Sequence, residues 1–287
     1  MEQKNNGAAG AENLQTHVGI VACSDGLDTD SGAVIRQLVS VLEGFGKSVH
    51  ESPYIYKTLG PFSGTGPQRA QALMDMFTDQ RIGEIYDVSG GDLANEILDE
   101  LDYNKIQKSK AVFWGYSDLT TVINAIYTMT GRLSVLYQIR NLVGPRGSMQ
   151  QARYMDRTQL FLLDYEMIRG SGMEGIVVGG NIRCFLKLAG ARYFPDLSGK
   201  ILLLEAMGGQ VPQMVTYLHQ LKQMGAFEQI KGILLGTFSA MEASKSEPDM
   251  TALVQMYVGE HIPVARTRDI GHGKDAKAIV IGKEYKF

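Results

Sequence analysis

Short apolar runs alternate with amphipathic helical patterns through the first half of the chain. The apolar runs, each bounded by turn residues, predict β-strands at residues 17–23, 84–88 and 111–114. Helical spacing of apolar residues predicts helices at residues 33–45, 66–79, 93–101 and 119–129. This alternation predicts a parallel sheet with helices on both faces, which binds ligands at the carboxyl ends of its strands.

A second set of strands follows a less regular segment. Residues 144–172, with a mixed helical stretch at about 159–168, are interpreted as a connector. Further strands are predicted at residues 175–180, 200–205, 232–236 and 278–281, with a long helix at 211–224. The predicted organisation is a disordered leader (1–16), a first α/β domain (17–143), the connector (144–172) and a second α/β domain (173–287).

Composition and charge exclude several classes of protein. Of the 287 residues, 44% are hydrophobic and 21% charged, which is typical of a folded globular chain. The net charge of -3 gives no basic surface for nucleic acid, and no apolar stretch approaches the roughly 18 residues of a membrane span. Two cysteines outside any metal-binding pattern, and a leader unlike a secretory signal, predict a cytoplasmic protein without metal or cofactor.

Ser117 is a candidate nucleophile. It lies in a tight turn between a predicted strand and a predicted helix, where its hydroxyl would be exposed beside backbone N–H groups, as in a nucleophile elbow. The alternative is that Ser117 or Asp118 only caps the helix. Leu119 stands where the GxSxG form of α/β-hydrolases has its last glycine, which argues against an esterase of that class.

A double glycine, Gly90-Gly91, ends the preceding predicted strand at the same edge of the sheet. One of its backbone N–H groups, together with the N–H of Asp118, would form an oxyanion hole. The alternative is a turn that needs glycine at positive φ.

Glu205 and His272 could complete a catalytic set with Ser117. Glu205 ends an apolar strand, and His272 lies between two glycines in a loop before the last predicted strand. A neutral imidazole oriented by a carboxylate is a suitable general base for a serine hydroxyl. A solvated glutamate and a structural histidine remain the alternatives. The weaker histidine candidates are His17, His50, His219 and His261.

Four motifs together resemble the LD-carboxypeptidase family. They are Gly115-Tyr116-Ser117-Asp118, Gly179-Gly180-Asn181, the run KILLLE that ends at Glu205, and Gly271-His272. They occur in the family's order and at compatible separations between residues 19 and 282. The resemblance implies hydrolysis of the amide bond between an L-centre and a C-terminal D-amino acid in murein peptides, or, in a related branch, inactivation of the peptide-nucleotide microcin C.

The resemblance also implies a fold and a role for each site residue. The fold would be a flavodoxin-like parallel-sheet domain joined to a smaller α/β domain, with the active site in the cleft between them. Ser117 would attack the scissile carbonyl, His272 would transfer the proton, and Glu205 would stabilise the imidazolium. Asp118 and Gly90, with Gly91 as the alternative, would give the oxyanion donors. By analogy the protein would be a homodimer.

Two departures from the family pattern bear on the substrate. Many relatives have Arg before the double glycine and Tyr after it, whereas this chain has Ser89 and Asp92. The leading prediction is a metal-independent LD-carboxypeptidase acting on recycled murein tetrapeptide. A microcin-like or other modified peptide is the alternative substrate, and a non-catalytic peptide-binding module is the alternative from another class.

Overall fold

The computed structural model describes residues 16–287 and contains two six-stranded sheets of mainly parallel strands. The strands are β1 (His17–Val21), β2 (Ser48–Glu51), β3 (Ile82–Asp87), β4 (Val112–Gly115), β5 (Ser134–Leu136), β6 (Glu166–Arg169), β7 (Glu174–Asn181), β8 (Ile201–Ala206), β9 (Gly232–Phe238), β10 (Val264–Arg266), β11 (Ile279–Ile281) and β12 (Glu284–Lys286).

Helices connect most of these strands. The α-helices are α1 (Gly32–Gly44), α2 (Gly66–Thr78), α3 (Tyr103–Lys108), α4 (Thr120–Thr130), α5 (Gly147–Met155), α6 (Arg157–Phe161), α7 (Ile182–Leu186), α8 (Val211–Gln223), α9 (Ser239–Ser244) and α10 (Met250–Tyr257). Short 3₁₀-helices lie at Thr29–Ser31, Ala94–Glu100, Ser117–Leu119 and Ile139–Val143. No helix within residues 16–287 has the length and apolar character that crossing a membrane requires.

The first sheet has the strand order β2-β1-β3-β4-β5, with all five strands parallel and β11 added antiparallel beside β5. This order is the flavodoxin-like one, in which the strand order reverses at β1 and β3. The predicted fold class, a parallel-sheet α/β domain joined to a second α/β domain, is therefore confirmed. The loops after β1, β3 and β4 lie at one edge of this sheet, where ligands bind in folds of this type.

The second sheet has the order β12-β7-β8-β9-β10-β6. Strands β7 to β10 are parallel, whereas β12 and β6 at the two edges are antiparallel to their neighbours. All six residues of β8 are buried, because both faces of this strand are covered.

Residues 1–15 lie outside the described part of the chain, which therefore leaves out all but the last residue of the predicted leader. Two sequence predictions about the described residues are wrong. The run at 278–281 does form a strand, but β11 pairs with β5 in the first sheet and not with the second α/β unit. The predicted helical stretch at about 159–168 is also wrong. Helix α6 ends at Phe161, and Glu166–Arg169 forms an edge strand, β6, of the second sheet.

Helix α4 lies in the core between the two sheets. Its first seven residues are all buried, and apolar residues of both sheets join the same cluster around it. A helix that is buried on all sides fits between two layers and not on a surface. The helix ends at Thr130, and Gly131 follows with the left-handed backbone conformation (φ 69°) that glycine adopts without strain.

The side chain of Asn124 connects this helix to the second sheet. Its Nδ2 donates to the Gly179 carbonyl at 2.9 Å, and its Oδ1 accepts from the Gly179 N–H at 2.9 Å. One turn earlier, the hydroxyl of Thr120 accepts from the Asn181 N–H at 3.0 Å. The two domains are therefore joined by hydrogen bonds to the backbone of β7 as well as by apolar packing.

We expect Asn124→Ala to lower the free energy of unfolding by about 3 kcal/mol, because it leaves a buried N–H and a buried carbonyl of Gly179 without partners. Urea unfolding followed by circular dichroism measures the effect. The matched control is Asn104→Ala in α3, where the asparagine is exposed and the change should stay within about 0.5 kcal/mol. Equal stability of the two variants would contradict the interpretation of this contact.

Candidate active site

Ser117 stands at a sharp turn between β4 and α4. Its φ of 54° is in the left-handed region, which residues other than glycine rarely adopt and which is often found at functional sites. The turn is tight because Gly115 has no side chain. A Cβ at that position would lie 2.6 Å from the Cβ of Leu119. The predicted elbow therefore forms with Leu119 in the place of the second glycine.

The structure brings together the three predicted catalytic side chains, which come from both sheets. Glu205 lies near the end of β8, and His272 lies in the loop between β10 and β11. The Nδ1 of His272 is 2.7 Å from Oε2 of Glu205, and its Nε2 is 3.2 Å from Oγ of Ser117. The imidazole therefore bridges the carboxylate and the hydroxyl with its two different nitrogens.

Burial makes the contact between Glu205 and His272 important for both groups. The side chain of Glu205 is completely buried, and that of His272 is 9% exposed. Among the described residues, Oε1 of Glu205 has no hydrogen-bond partner, so its carboxylate depends on His272. A buried carboxylate is costly without a partner, and it stabilises a positive charge on an adjacent ring.

Tyr116, which the sequence analysis did not single out as a separate residue, packs on the imidazole. Its ring centroid lies 4.4 Å from that of His272, with an angle of 54° between the ring planes. Burial, together with the nearby Glu205 carboxylate, raises the pKa of Tyr116 well above its usual range. The phenol therefore stays protonated, and its ring restricts the orientation of His272.

Asp118 has a structural role beyond the backbone N–H that the sequence analysis assigned to it. Its buried carboxylate accepts hydrogen bonds from Ser24 Oγ at 2.7 Å, from the Ala94 N–H at 2.8 Å and from Lys187 Nζ at 2.6 Å. Partial burial acts to lower the pKa of Lys187, but the Asp118 carboxylate raises it above its usual value. Asp118 thus fixes the loops after β1 and β3 and a cation of the second domain against the turn at Ser117.

The double glycine lies in the loop that Asp118 fixes. Gly91 lines the same cavity as Ser117, whereas the carbonyl of Gly90 accepts a hydrogen bond from the Asp25 N–H at 3.2 Å. A side chain at Gly91 would overlap the carboxyl group of Asp25, and its φ of 125° also requires glycine. The glycine-turn interpretation is therefore correct for Gly91.

A cavity of about 570 Å³ opens beside Ser117. Its walls come from the loop after β3, the end of β7, the loop after β8 and helix α8, and they include Gly91, Asp92, Asn181, Arg183, Met207 and Tyr217. Among the described residues no group of three or more His, Cys, Asp or Glu side chains is arranged to hold a metal ion. Of the three predicted catalytic residues, Ser117 is the one that lines this cavity.

Arg183 and Lys187 were missed in the sequence. Both follow Gly179-Gly180-Asn181, with Arg183 in α7, but nothing in their local pattern indicates which residues they contact. Their partners, Asp92 and Asp118, are between 69 and 95 residues away along the chain. Only the presence of acidic residues at the opposite sheet edge could have suggested these pairs.

Family profiles match both halves of the chain. The LD-carboxypeptidase N-terminal domain matches residues 18–138, and the LD-carboxypeptidase C-terminal domain matches residues 174–287. A two-sheet fold of this kind, with these matches over most of its length, defines a peptidase that acts on peptide substrates. The chain belongs to the LD-carboxypeptidase family, as its motifs indicated.

Individual relatives share about a quarter of their residues with this chain. The chain is 26% identical over 255 residues to a probable murein peptide carboxypeptidase of Bacillus subtilis, covering 84% of this chain and 80% of that protein. It is 23% identical over 288 residues to the murein tetrapeptide carboxypeptidase of Pseudomonas aeruginosa (94% and 92%). It is 25% identical over 259 residues to the microcin C7 self-immunity protein MccF of Escherichia coli (77% and 75%).

Solved structures share the fold. MccF in complex with glutamyl sulfamoyl guanosine superimposes with a TM-score of 0.85 at 20% identity, covering 95% of this chain and 93% of that one. Muramoyltetrapeptide carboxypeptidase from Oxalobacter formigenes gives a TM-score of 0.79 at 23% identity, with 94% of each chain covered. The two-domain α/β architecture is therefore common to proteins with both kinds of name.

We expect Gly271→Ala to slow the reaction of Ser117 with a serine-directed phosphonate by about a hundredfold. A Cβ at Gly271 would lie 1.9 Å from Oγ1 of Thr237, and its φ of 143° disfavours a side chain, so the adjacent His272 must move. A displacement of about 1 Å between reacting groups can have an effect of this size. The rate of labelling is measured by intact-protein mass spectrometry.

Gly273→Ala is the matched control on the other side of His272. Its Cβ would meet only the end of the Asp275 side chain, at 2.9 Å, which can rotate away. We expect its labelling rate to remain within a few fold of the wild type. If both variants react at the wild-type rate, the position of His272 does not control Ser117.

Proposed function

We propose that the protein is a serine-type LD-carboxypeptidase with Ser117, His272 and Glu205 as its catalytic triad. The observation that carries the proposal is the continuous contact from Ser117 Oγ through both nitrogens of His272 to Glu205, at 3.2 Å and 2.7 Å. The geometry corresponds to the roles of nucleophile, general base and orienting carboxylate. The 3.2 Å contact is at the long end of hydrogen-bond range, as is common before substrate binds.

In the first half of the reaction, Nε2 of His272 takes the hydroxyl proton of Ser117 as Oγ attacks the scissile carbonyl carbon. The carbonyl oxygen becomes an oxyanion, for which we assign the backbone N–H groups of Asp118 and Gly90 as donors, with Gly91 as the alternative second donor. Glu205 stabilises the imidazolium. The proton then passes from Nε2 to the leaving amine, the C–N bond breaks, and an acyl-enzyme remains.

In the second half, water replaces the amine. His272 takes a proton from the water as its oxygen attacks the ester carbonyl, and the imidazolium returns that proton to Oγ of Ser117 when the C–O bond breaks. The products are a shortened peptide acid and a free amino acid. The net reaction is hydrolysis of one amide bond, and no cofactor takes part in these steps.

The substrate class we propose is a murein peptide that ends in a D-amino acid, hydrolysed in the cytoplasm during cell-wall recycling. Its support is the family membership and the names of the Bacillus and Pseudomonas relatives. A microcin-like peptide-nucleotide is the second candidate. It is favoured by the likeness to MccF and by Asp92, which lines the cavity of this chain.

We expect wild-type protein, without added metal, to release free D-alanine from murein tetrapeptide, and Ser117→Ala to lower kcat by on the order of 10⁶. The amino acid is quantified by mass spectrometry. Ser148→Ala, which changes an exposed serine outside the cavity, is the matched control and should retain wild-type activity.

Near-wild-type turnover by Ser117→Ala would contradict the serine mechanism. If neither protein releases D-alanine, aminoacyl sulfamoyl adenylates are the next substrates to test. Their cleavage by the wild type alone would favour the microcin-like function with the same triad.

We also propose that the chain forms a homodimer, by analogy with the family. Light scattering coupled to size-exclusion chromatography should give about twice the chain mass of 31.5 kDa. A mass that remains at that of one chain over the whole range of protein concentrations tested would contradict dimerisation.

A further inference from the structure

A carboxypeptidase must distinguish the end of a peptide from its interior. The distinguishing group is the terminal carboxylate, which lies only one residue beyond the scissile carbonyl. A site that provides charged hydrogen-bond donors for such a group disfavours analogues that lack it. Because Ser117 would contact the scissile carbonyl, a cation for the carboxylate should lie on the wall of the same cavity.

Arg183 is the cation in that position. Among the described residues that line the cavity beside Ser117, Arg183 carries the positive charge and Asp92 the negative charge. The planar guanidinium can hold a carboxylate with two parallel hydrogen bonds, which a lysine does not provide. Arg183 lies in α7, directly after the strand β7 that is tied to the nucleophile helix.

The contacts of Arg183 can be exchanged. Its Nη1 contacts the carboxylate of Asp92, and its Nη2 donates to the Gly91 carbonyl at 3.2 Å. The side chains of Arg183 and Asp92 are 43% and 61% exposed, and exposed pairs of this kind contribute little net stability. A second carboxylate can therefore displace that of Asp92 from the guanidinium at a small cost.

Asp92 would keep a partner after such an exchange. Lys187 Nζ lies 3.0 Å from its Oδ1 and also donates to its backbone carbonyl at 2.9 Å. Partial burial acts to raise the pKa of Asp92, but the hydrogen bonds from Lys187 and Arg183 hold it below its ordinary value. Asp92 is therefore a carboxylate at neutral pH, and it occupies Arg183 in the free protein.

We infer that Arg183 binds the terminal carboxylate of the substrate and that Asp92 competes with this carboxylate for the guanidinium. The inference rests on the proposed peptidase function, which it extends by naming the residue that selects for a free chain end. Arg183 would select substrates with a free terminal carboxylate, and Asp92 would lower the affinity of Arg183 for that carboxylate. Neither residue takes part in the proton transfers.

Binding to Ser117→Ala protein tests the inference without turnover. Murein tetrapeptide and its C-terminal amide are titrated by calorimetry, and we expect the acid to bind at least about tenfold more tightly. Adding Arg183→Ala should remove the difference, and Arg183→Lys should retain part of it. Adding Asp92→Asn should tighten binding of the acid several-fold without a comparable effect on the amide.

Arg192→Ala is the matched control. Arg192 is also an exposed arginine near an aspartate, Asp99, at 3.7 Å, but it does not line the cavity. It should leave the preference for the acid unchanged. Urea unfolding verifies that each variant is folded.

Absence of an acid preference before Arg183 is changed would overturn the inference, and so would a preference that persists in Arg183→Ala. If wild-type protein releases D-alanine while Arg183→Ala keeps the preference, the proposed function stands and only the inference fails. If the preference depends on Arg183 but no D-alanine is released, the carboxylate site stands and the proposed function fails.

Discussion

The side-chain amide of Asn124 forms two hydrogen bonds with the backbone of Gly179, and the relative position of Ser117 and Glu205 depends on this contact. Strand β12 pairs with β7 from Glu174 to Ile176, and Val177 bonds to the backbone of Gly282 and Lys283, so beyond Val177 no strand of residues 16–287 lies along this edge of β7. Asn124 occupies that edge and provides the donor and the acceptor that a neighbouring strand would give. Two residues further along β7, Asn181 lies in register with Glu205 in β8. Helix α4, which follows Ser117, is thus held to the strand that lies beside Glu205.

One buried carboxylate strengthens the same junction, and a second one holds His272. Asp118, next to Ser117, is paired with Lys187 of the second domain, whereas Glu205 is paired with His272 within that domain. Separating a buried carboxylate from its partner is costly, because neither group regains full hydration in the cleft. Apolar packing around α4 stabilises the contact between the domains by burying apolar surface, but this effect does not fix their relative orientation. The hydrogen bonds and the ion pair between the domains are directional, so they fix the orientation of Ser117 relative to Glu205 and His272.

Local sequence patterns predicted seven of the twelve strands that residues 16–287 form. The strand, turn and helix around Ser117 were readable because a strand followed by a glycine turn and a helix has a characteristic pattern. The antiparallel pairing of β11 was not, since the run AIVI indicates a strand but not its partner, and its partner β5 has only three residues. Strand β6 was missed because its sequence, EMIR, contains residues that are common in helices.

The candidate site shows more clearly that local sequence patterns do not reveal contacts between distant residues. Ser117 and His272 are 155 residues apart, and no periodicity relates two loops at that separation. Each residue alone had an ordinary structural interpretation, and only the family resemblance linked them. The contact between Asp118 and Lys187 was not predicted at all, because it depends on how two domains pack.

The position of β11 has a consequence for the order in which the protein is assembled. The first sheet begins with β1 at residue 17, yet its sixth strand, β11, ends at residue 281. A ribosome makes the chain from the N-terminus, and domains generally fold in that order. The first sheet therefore lacks one edge strand until the chain has been made past the loop that carries His272. Completion of this sheet and the contact of His272 with Ser117 both depend on the same late segment of the chain.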